Sequence, residues 1–146
     1  MTKIAQKVST FRIALYGILI SEGRVLMTET SVPSGSIINF PGGGLELGEA
    51  PVEAIEREFI EETGLSVSVN KLLFCSQTFQ QNPEYQHEQL MHIYYRVCQQ
   101  SDGLLFEGNN DDVLGVHWFK PAQIPLERVA AVDKEFINHR SFLSLF

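Results

Sequence analysis

The chain has 146 residues, 44% hydrophobic and 20% charged, with a formal net charge of −7, which predicts one soluble globular domain over residues 1–146. The acidic balance excludes a protein that grips nucleic-acid backbone over a broad basic surface. No run reaches the roughly 18 apolar residues that cross a bilayer, and Cys75 and Cys98 have no Cys or His neighbour at metal-ligand spacing, so a reduced, cytoplasmic protein without membrane attachment is expected.

Lys3, Lys7 and Arg12 precede the apolar run from Ile13 to Ile20 in the manner of a signal peptide. Ser21-Glu22-Gly23-Arg24 stands where a small-residue cleavage site would, so the run predicts a strand. Phe11 to Ile20 and Arg24 to Glu29 read as two strands joined at Ser21-Glu22-Gly23. Ser31 to Ser36, with Pro33 and Gly35, reads as a loop, and Ile37 to Phe40 as a short strand. Pro41-Gly42-Gly43-Gly44 then predicts a special backbone turn.

A helix follows from about Ala50 to Thr63, with Pro51 in its first turn and Gly64 at the left-handed closing position. Val52, Ile55, Phe59 and Thr63 share its apolar face. Val67 to Phe79 and Gln89 to Gln99 read as strands, with polar connections from Gln80 to Glu88 and from Gln100 to Asp112. Val116 to Phe119 predicts a short strand and Asp133 to His139 a helix. The apolar end from Ser141 to Phe146 predicts docking on its own domain or on a second copy, a homodimer. This order suggests a mixed sheet with helices packed against it.

Chemistry concentrates between Gly42 and Leu65. Seven glutamates fall there, at 46, 49, 53, 56, 58, 61 and 62, and only Arg57 opposes them. At about 100° per residue, Glu58, Glu61 and Glu62 lie within about 100° of one another, roughly a right angle or more from the apolar face. Like charges at this spacing destabilise a bare helix by a few tenths of a kcal/mol per pair. Clustering also raises carboxylate pKa values. A bound divalent cation offsets both effects, and oxygen-only ligands suit Mg²⁺, or Mn²⁺, better than zinc. The bland alternative is a solvated acidic surface. Likewise, Arg57 reads either as the clamp on the glutamates or as a surface pair, and Glu49 as a carboxylate at the positive end of the helix dipole.

These residues resemble the signature of the Nudix hydrolase family. That box runs Gly, five residues, Glu, seven residues, Arg-Glu, an apolar residue, any residue, Glu-Glu, any residue, Gly, apolar residue. Gly43, Glu49, Arg57-Glu58-Phe59-Ile60-Glu61-Glu62-Thr63-Gly64-Leu65 match every specified position. The resemblance implies an α/β (α+β) fold, a Nudix-type α-β-α sandwich with a mixed β-sheet and the loop–helix–loop of the box. It implies Mg²⁺-dependent hydrolysis of a phosphoanhydride bond in a nucleoside diphosphate derivative or nucleoside triphosphate. Catalytic roles fall to Glu58, Glu61 and Arg57, and Glu58 is the first choice of base. Metal ligands would be Glu58, Glu61, Glu62, the Gly42 carbonyl and a downstream acid. Asp112 is the candidate for that acid, against Asp111, Glu107 and Glu88. Gly43, Gly44 and Phe40 are the expected substrate contacts, although Phe40, Phe79, Tyr85 and Trp118 also suit a core. Glu49 and Gly64 are structural within the motif. His87 and His92 read as solvated or packed. Two competing readings are a sensing or scaffold module that has lost the chemistry, whose box would lack glutamates, and a prenyl-diphosphate isomerase, which needs a catalytic cysteine in a recognisable setting.

Overall fold

The continuous apolar run near the start of the chain becomes the centre of the sheet. In the computed structural model, which describes residues 8–100, 103, 105–109 and 111–146, strand β1 (Thr10–Ser21) is buried on both faces. Ala14, Tyr16 and Ile18 enter one core cluster, while Leu15 and Leu19 enter another. A strand covered on both faces needs apolar residues at consecutive positions, which explains the unbroken run. Helix α1 (Pro51–Thr63) covers the second face through Ala54, Ile55 and Phe59. Helices α2 (Ala131–Ile137) and α3 (Arg140–Leu143) cover the first through Phe136, Ile137 and Phe142. The result is the expected α-β-α arrangement.

The sheet is mixed. The order is β3-β2-β1-β6-β5, with β4 pairing β1 and β7 pairing β2. The strands are β2 (Arg24–Val32), β3 (Gly35–Asn39), β4 (Gly42–Gly44), β5 (Val67–Cys75), β6 (Glu88–Gln99) and β7 (Val113–Phe119). β1 runs parallel to β6 from Thr10 to Leu19 and antiparallel to β4 over Ala14–Tyr16. It meets β2 only at Ile20 and Ser21. The sheet therefore splits into two wings, with β3, β2 and β7 in one and β4, β1, β6 and β5 in the other. Glu22 and Gly23 both take positive φ at the β1–β2 hairpin, the geometry that matches strand twist in a two-residue turn.

Several elements differ from the sequence reading. Ser31 to Ser36 is not a loop. Val32 pairs with Gly35, leaving Pro33-Ser34 as a two-residue turn, and β2 holds its polar residues because β3 and β7 flank it on both edges. Gly42–Gly44 is a strand rather than a turn. β5 stops at Cys75 instead of Phe79. After one more bond, from the Ser76 N–H to the His92 carbonyl, the N–H groups of Gln77 and Thr78 donate to the Glu135 carboxylate and leave the ladder. Within the apolar chain end Phe142 is fully buried against Phe40 and Phe136, whereas Leu143 and Phe146 stay exposed. Both cysteines are free thiols.

Val52 corrects the predicted apolar face. It points in nearly the same direction as Phe59 but sits two turns earlier, about 10 Å along the axis, where the sheet does not cover it. It is 43% exposed, whereas Phe59 is 0% exposed. Val52→Ala is therefore expected to cost under about 1 kcal/mol, while Phe59→Ala costs about 3–5 kcal/mol. Urea denaturation of the two variants measures the difference.

Candidate active site

The chain must leave β3 and return along β1 within three residues, and this brings the glycines to the helix. The Pro41 carbonyl accepts from the Gly17 N–H at 2.9 Å, and Gly42–Gly44 then pairs with β1. Gly42 has φ 152°, and a Cβ there would lie 2.0 Å from the Leu15 carbonyl oxygen. Only glycine fits. The Gly42 N–H donates to Glu62 Oε2 at 3.0 Å. A Cβ on Gly43 would meet the Glu58 carboxylate at 3.0 Å. The strand thus lies directly against the two carboxylates that the box places one turn apart.

Helix α1 is built to hold that face against the glycine strand. Ala50 at its start has no side-chain oxygen, and Glu53 instead reaches back to the Ala50 N–H at 3.4 Å. Gly64 closes it in the left-handed conformation, with its N–H on the Ile60 carbonyl. Arg57 sits at the centre of the acidic face. It clamps Glu49 in two places, Nε to Oε2 at 2.7 Å and Nη2 to Oε1 at 3.1 Å. Its Nη1 reaches Glu58 at 3.1 Å and Glu61 at 3.3 Å. The hydrogen bond from Arg57 holds the Glu49 carboxyl below its usual range. Glu49 is thus the fixed anchor of Arg57, a stronger role than dipole complement alone.

Burial dominates the electrostatics of the other two. Glu62 is 5% exposed, and its pKa is pushed up to about 9 by burial, with Glu58, Asp112 and Glu61 adding repulsion against the single Gly42 N–H. Glu58 is raised by burial as well, then by Glu61 and Asp112, against the pull of Arg57. Asp112 is therefore close enough to act on both carboxylates, which favours it over its competitors. Glu107 and Asp111 line a separate hollow, and Glu88 accepts from Asn82 at the start of β6. Among the described residues no three ligating side chains converge on one point. Glu58 is turned to Arg57 and Glu62 to Gly42.

A cavity of about 560 Å³ opens between the two wings of the sheet. Arg12, Tyr16 and Asp112 line it, and the last two interact electrostatically with Glu58 and Glu62. Arg12 lies against Gly44, whose Cβ would sit 2.7 Å from the guanidinium. Tyr16, paired with Gly42, is kept firmly protonated by burial and by the charge of Asp133, with Glu62 and Glu58 adding to the effect. Asn39 lines the cavity with its Oδ1 taken by Thr28 at 2.7 Å and Thr30 at 2.8 Å, and its amide N–H groups have no partner among the described residues.

Sequence reasoning missed Arg12 and Asn39. Each is a lone polar residue on an apolar strand, and only the pairing of β1 with β4 and of β2 with β3 places them on one cavity. Phe40 is a correction. It is 0% exposed and packs against Tyr94, Phe136 and Phe142, so it supports the core and has no surface for a substrate. Trp118 also packs into the core on the α1 side, whereas Tyr85 does line the cavity.

A family model described as the NUDIX domain matches residues 10–139. A protein from Bacillus subtilis (strain 168) named "Putative 8-oxo-dGTP diphosphatase" is 26% identical over 106 residues, which is 73% of this chain and 63% of that protein. The match thus spans less than two thirds of that relative. Among solved structures, the MutT protein from Methanosarcina mazei Go1 superposes with a TM-score of 0.73 at 19% identity, covering 94% of this chain and 96% of that one. A MutT NUDIX hydrolase from Burkholderia pseudomallei gives 0.72 at 18% identity, covering 90% and 99%. Both likenesses concern the fold.

Proposed function

The chain belongs to the NUDIX family, and from that premise we propose that it hydrolyses a phosphoanhydride bond in a nucleoside diphosphate derivative or nucleoside triphosphate, using Mg²⁺. One observation carries the reading: two carboxylates with raised pKa, Glu58 and Glu62, lie against a strand of three glycines whose neighbours Arg12 and Tyr16 line a cavity large enough for a nucleotide's organic part.

The donor set fits a hard divalent cation. The carboxylates repel one another, their one cation is already shared among three of them, and the available donors are all oxygen. Glu58, Glu61, Glu62, the Gly42 carbonyl and Asp112 would hold it, with Mn²⁺ as the substitute ion. Bound there, it would neutralise charge on the phosphate oxygens and lower the pKa of an attacking water. The residues supply the rest. Gly43 and Gly44 leave room for phosphate to approach the backbone. Arg12, beside Gly44, offers a guanidinium to the same phosphate chain. Glu58, whose pKa burial raises, is the first choice to accept a proton from water.

The test is product chromatography with Mg²⁺ over nucleoside triphosphates, nucleotide sugars, ADP-ribose and dinucleoside polyphosphates. An oxidised purine triphosphate belongs in the panel because of the Bacillus relative's name. Turnover of at least one class, abolished by EDTA and restored by Mg²⁺, is expected. Failure of every class at micromolar enzyme would sink the reading. Arg57→Lys is expected to lower kcat/KM by about tenfold or more without unfolding the chain, because a lysine cannot clamp Glu49 in two places while touching Glu58. Steady-state kinetics on the best substrate, with circular dichroism as the fold control, measures it.

A further inference from the structure

A second polar cluster sits at the cavity wall, and the proposed chemistry does not use it. Asp133, on α2, is 1% exposed, and its Oδ1 accepts from Tyr94 and from Nδ1 of His92 at 2.9 Å. A buried carboxylate costs several kcal/mol unless such donors satisfy it. His92, on β6, is itself tightly fixed. Its N–H donates to Ser76 Oγ at 3.0 Å, its carbonyl accepts from the Ser76 N–H at 2.9 Å, and its ring lies 4.8 Å from the Tyr16 ring. Its side chain is 8% exposed, and both His92 and Asp133 line the cavity.

The carboxylate can only accept, so the proton between the two residues sits on Nδ1 of His92. In the neutral imidazole Nε2 is then the acceptor, and it has no hydrogen-bond partner among the described residues. It is a fixed acceptor on the cavity wall, beside Tyr16. The Asn39 amide N–H groups line the same space. Arg12 lines that cavity too, so a ligand whose phosphate chain meets Arg12 shares the space with His92.

We propose that His92, oriented by Asp133, recognises the base of the substrate, Nε2 accepting a hydrogen bond from a ring N–H or exocyclic amino group of a nucleobase. His92 touches the ligand; Asp133 is a positioning residue that acts through it. The proposal rests on the reading of the protein as a nucleotide hydrolase and adds what selects the nucleotide. A site built to hydrogen-bond a polar edge discriminates against ligands that lack it, because its own buried group is then left unpaired.

His92→Phe keeps a ring of similar size and removes Nε2. With the four deoxynucleoside triphosphates, the expected result is a KM rise of about tenfold or more for the preferred one. The kcat should change little, and the order of preference among the bases should flatten. Asp133→Asn is expected to flatten the same order more weakly. A folded His92→Phe chain that keeps the wild-type order overturns the proposal. Should that variant not fold, the wild type decides. Imidazole ¹⁵N spectra during titration with the four deoxynucleoside monophosphates, without metal, should show Nε2 of His92 shifting for the preferred base. No shift at a saturating monophosphate overturns the proposal too. If the wild type hydrolyses no nucleotide, the hydrolase reading fails, while the ¹⁵N titration still decides whether His92 meets a base.

Discussion

Glu62→Gln is expected to lower kcat/KM by about 10²–10⁴-fold, as is Glu58→Gln, the range that loss of a positioned acid–base or charge-stabilising group produces. The two differ in their effect on the metal-free fold. Glu62 has a folded pKa of about 9 against an ordinary 4.5, chiefly through burial. Between those values the folded chain keeps a proton that the unfolded chain has lost. Stability of the metal-free protein therefore falls as pH rises from about 4.5 towards 9, by on the order of 2 kcal/mol or more between pH 5 and pH 8. Gln at 62 keeps an oxygen for the Gly42 N–H and cannot ionise, so this slope should largely disappear. Thermal melts in EDTA at pH 5 and pH 8, followed by Mg²⁺ addition, read both effects. Wild type should gain more from Mg²⁺ at pH 8 than at pH 5. Equal gains at both pH values, or a Glu62→Gln chain as active as wild type, would refute the assignment.

Gly42→Ala is expected to destabilise by more than about 3 kcal/mol and to remove most folded protein at physiological temperature. Two independent causes act together. The backbone sits at φ 152°, which side chains rarely adopt, and the new methyl would lie 2.0 Å from the Leu15 oxygen and 2.8 Å from the Tyr16 Cα. Backbone atoms of the central strand cannot give way as a side chain could. Gly48→Ala is the control. Its φ is 84°, with nothing within 4 Å of the new atom, so only the conformational cost of about 1 kcal/mol applies. Guanidinium denaturation should separate the pair clearly, and similar midpoints would show that the strand can shift.

Local chemistry was legible wherever it depends on residues near one another in sequence. The helix from Pro51 to Thr63 ends where its proline and glycine predict, and Arg57 meets Glu61 one turn on, as the helical period requires. The buried centre of β1 was legible from its unbroken apolar run. Element ends were less so. Strand β5 ended early because a carboxylate from α2 took over its next N–H groups, a contact between residues 58 positions apart.

Exposure and partnership at a distance lay beyond the sequence. Val52 and Phe59 look alike on a helical wheel, but the sheet covers only one of them. Phe40 looks like a stacking aromatic until Tyr94, Phe136 and Phe142 close around it. His92 looked solvated or packed, and only the docking of α2 gives it Asp133.

The sequence alone determined the family and the acidic face of α1, because a box of 23 residues carries both through fixed spacing and helical geometry. Tertiary structure alone decided which carboxylates are buried and what lines the cavity. The physical reason is that desolvation and long-range pairing arise only when β1, β4, β6 and α2 pack together, and no local period encodes that packing.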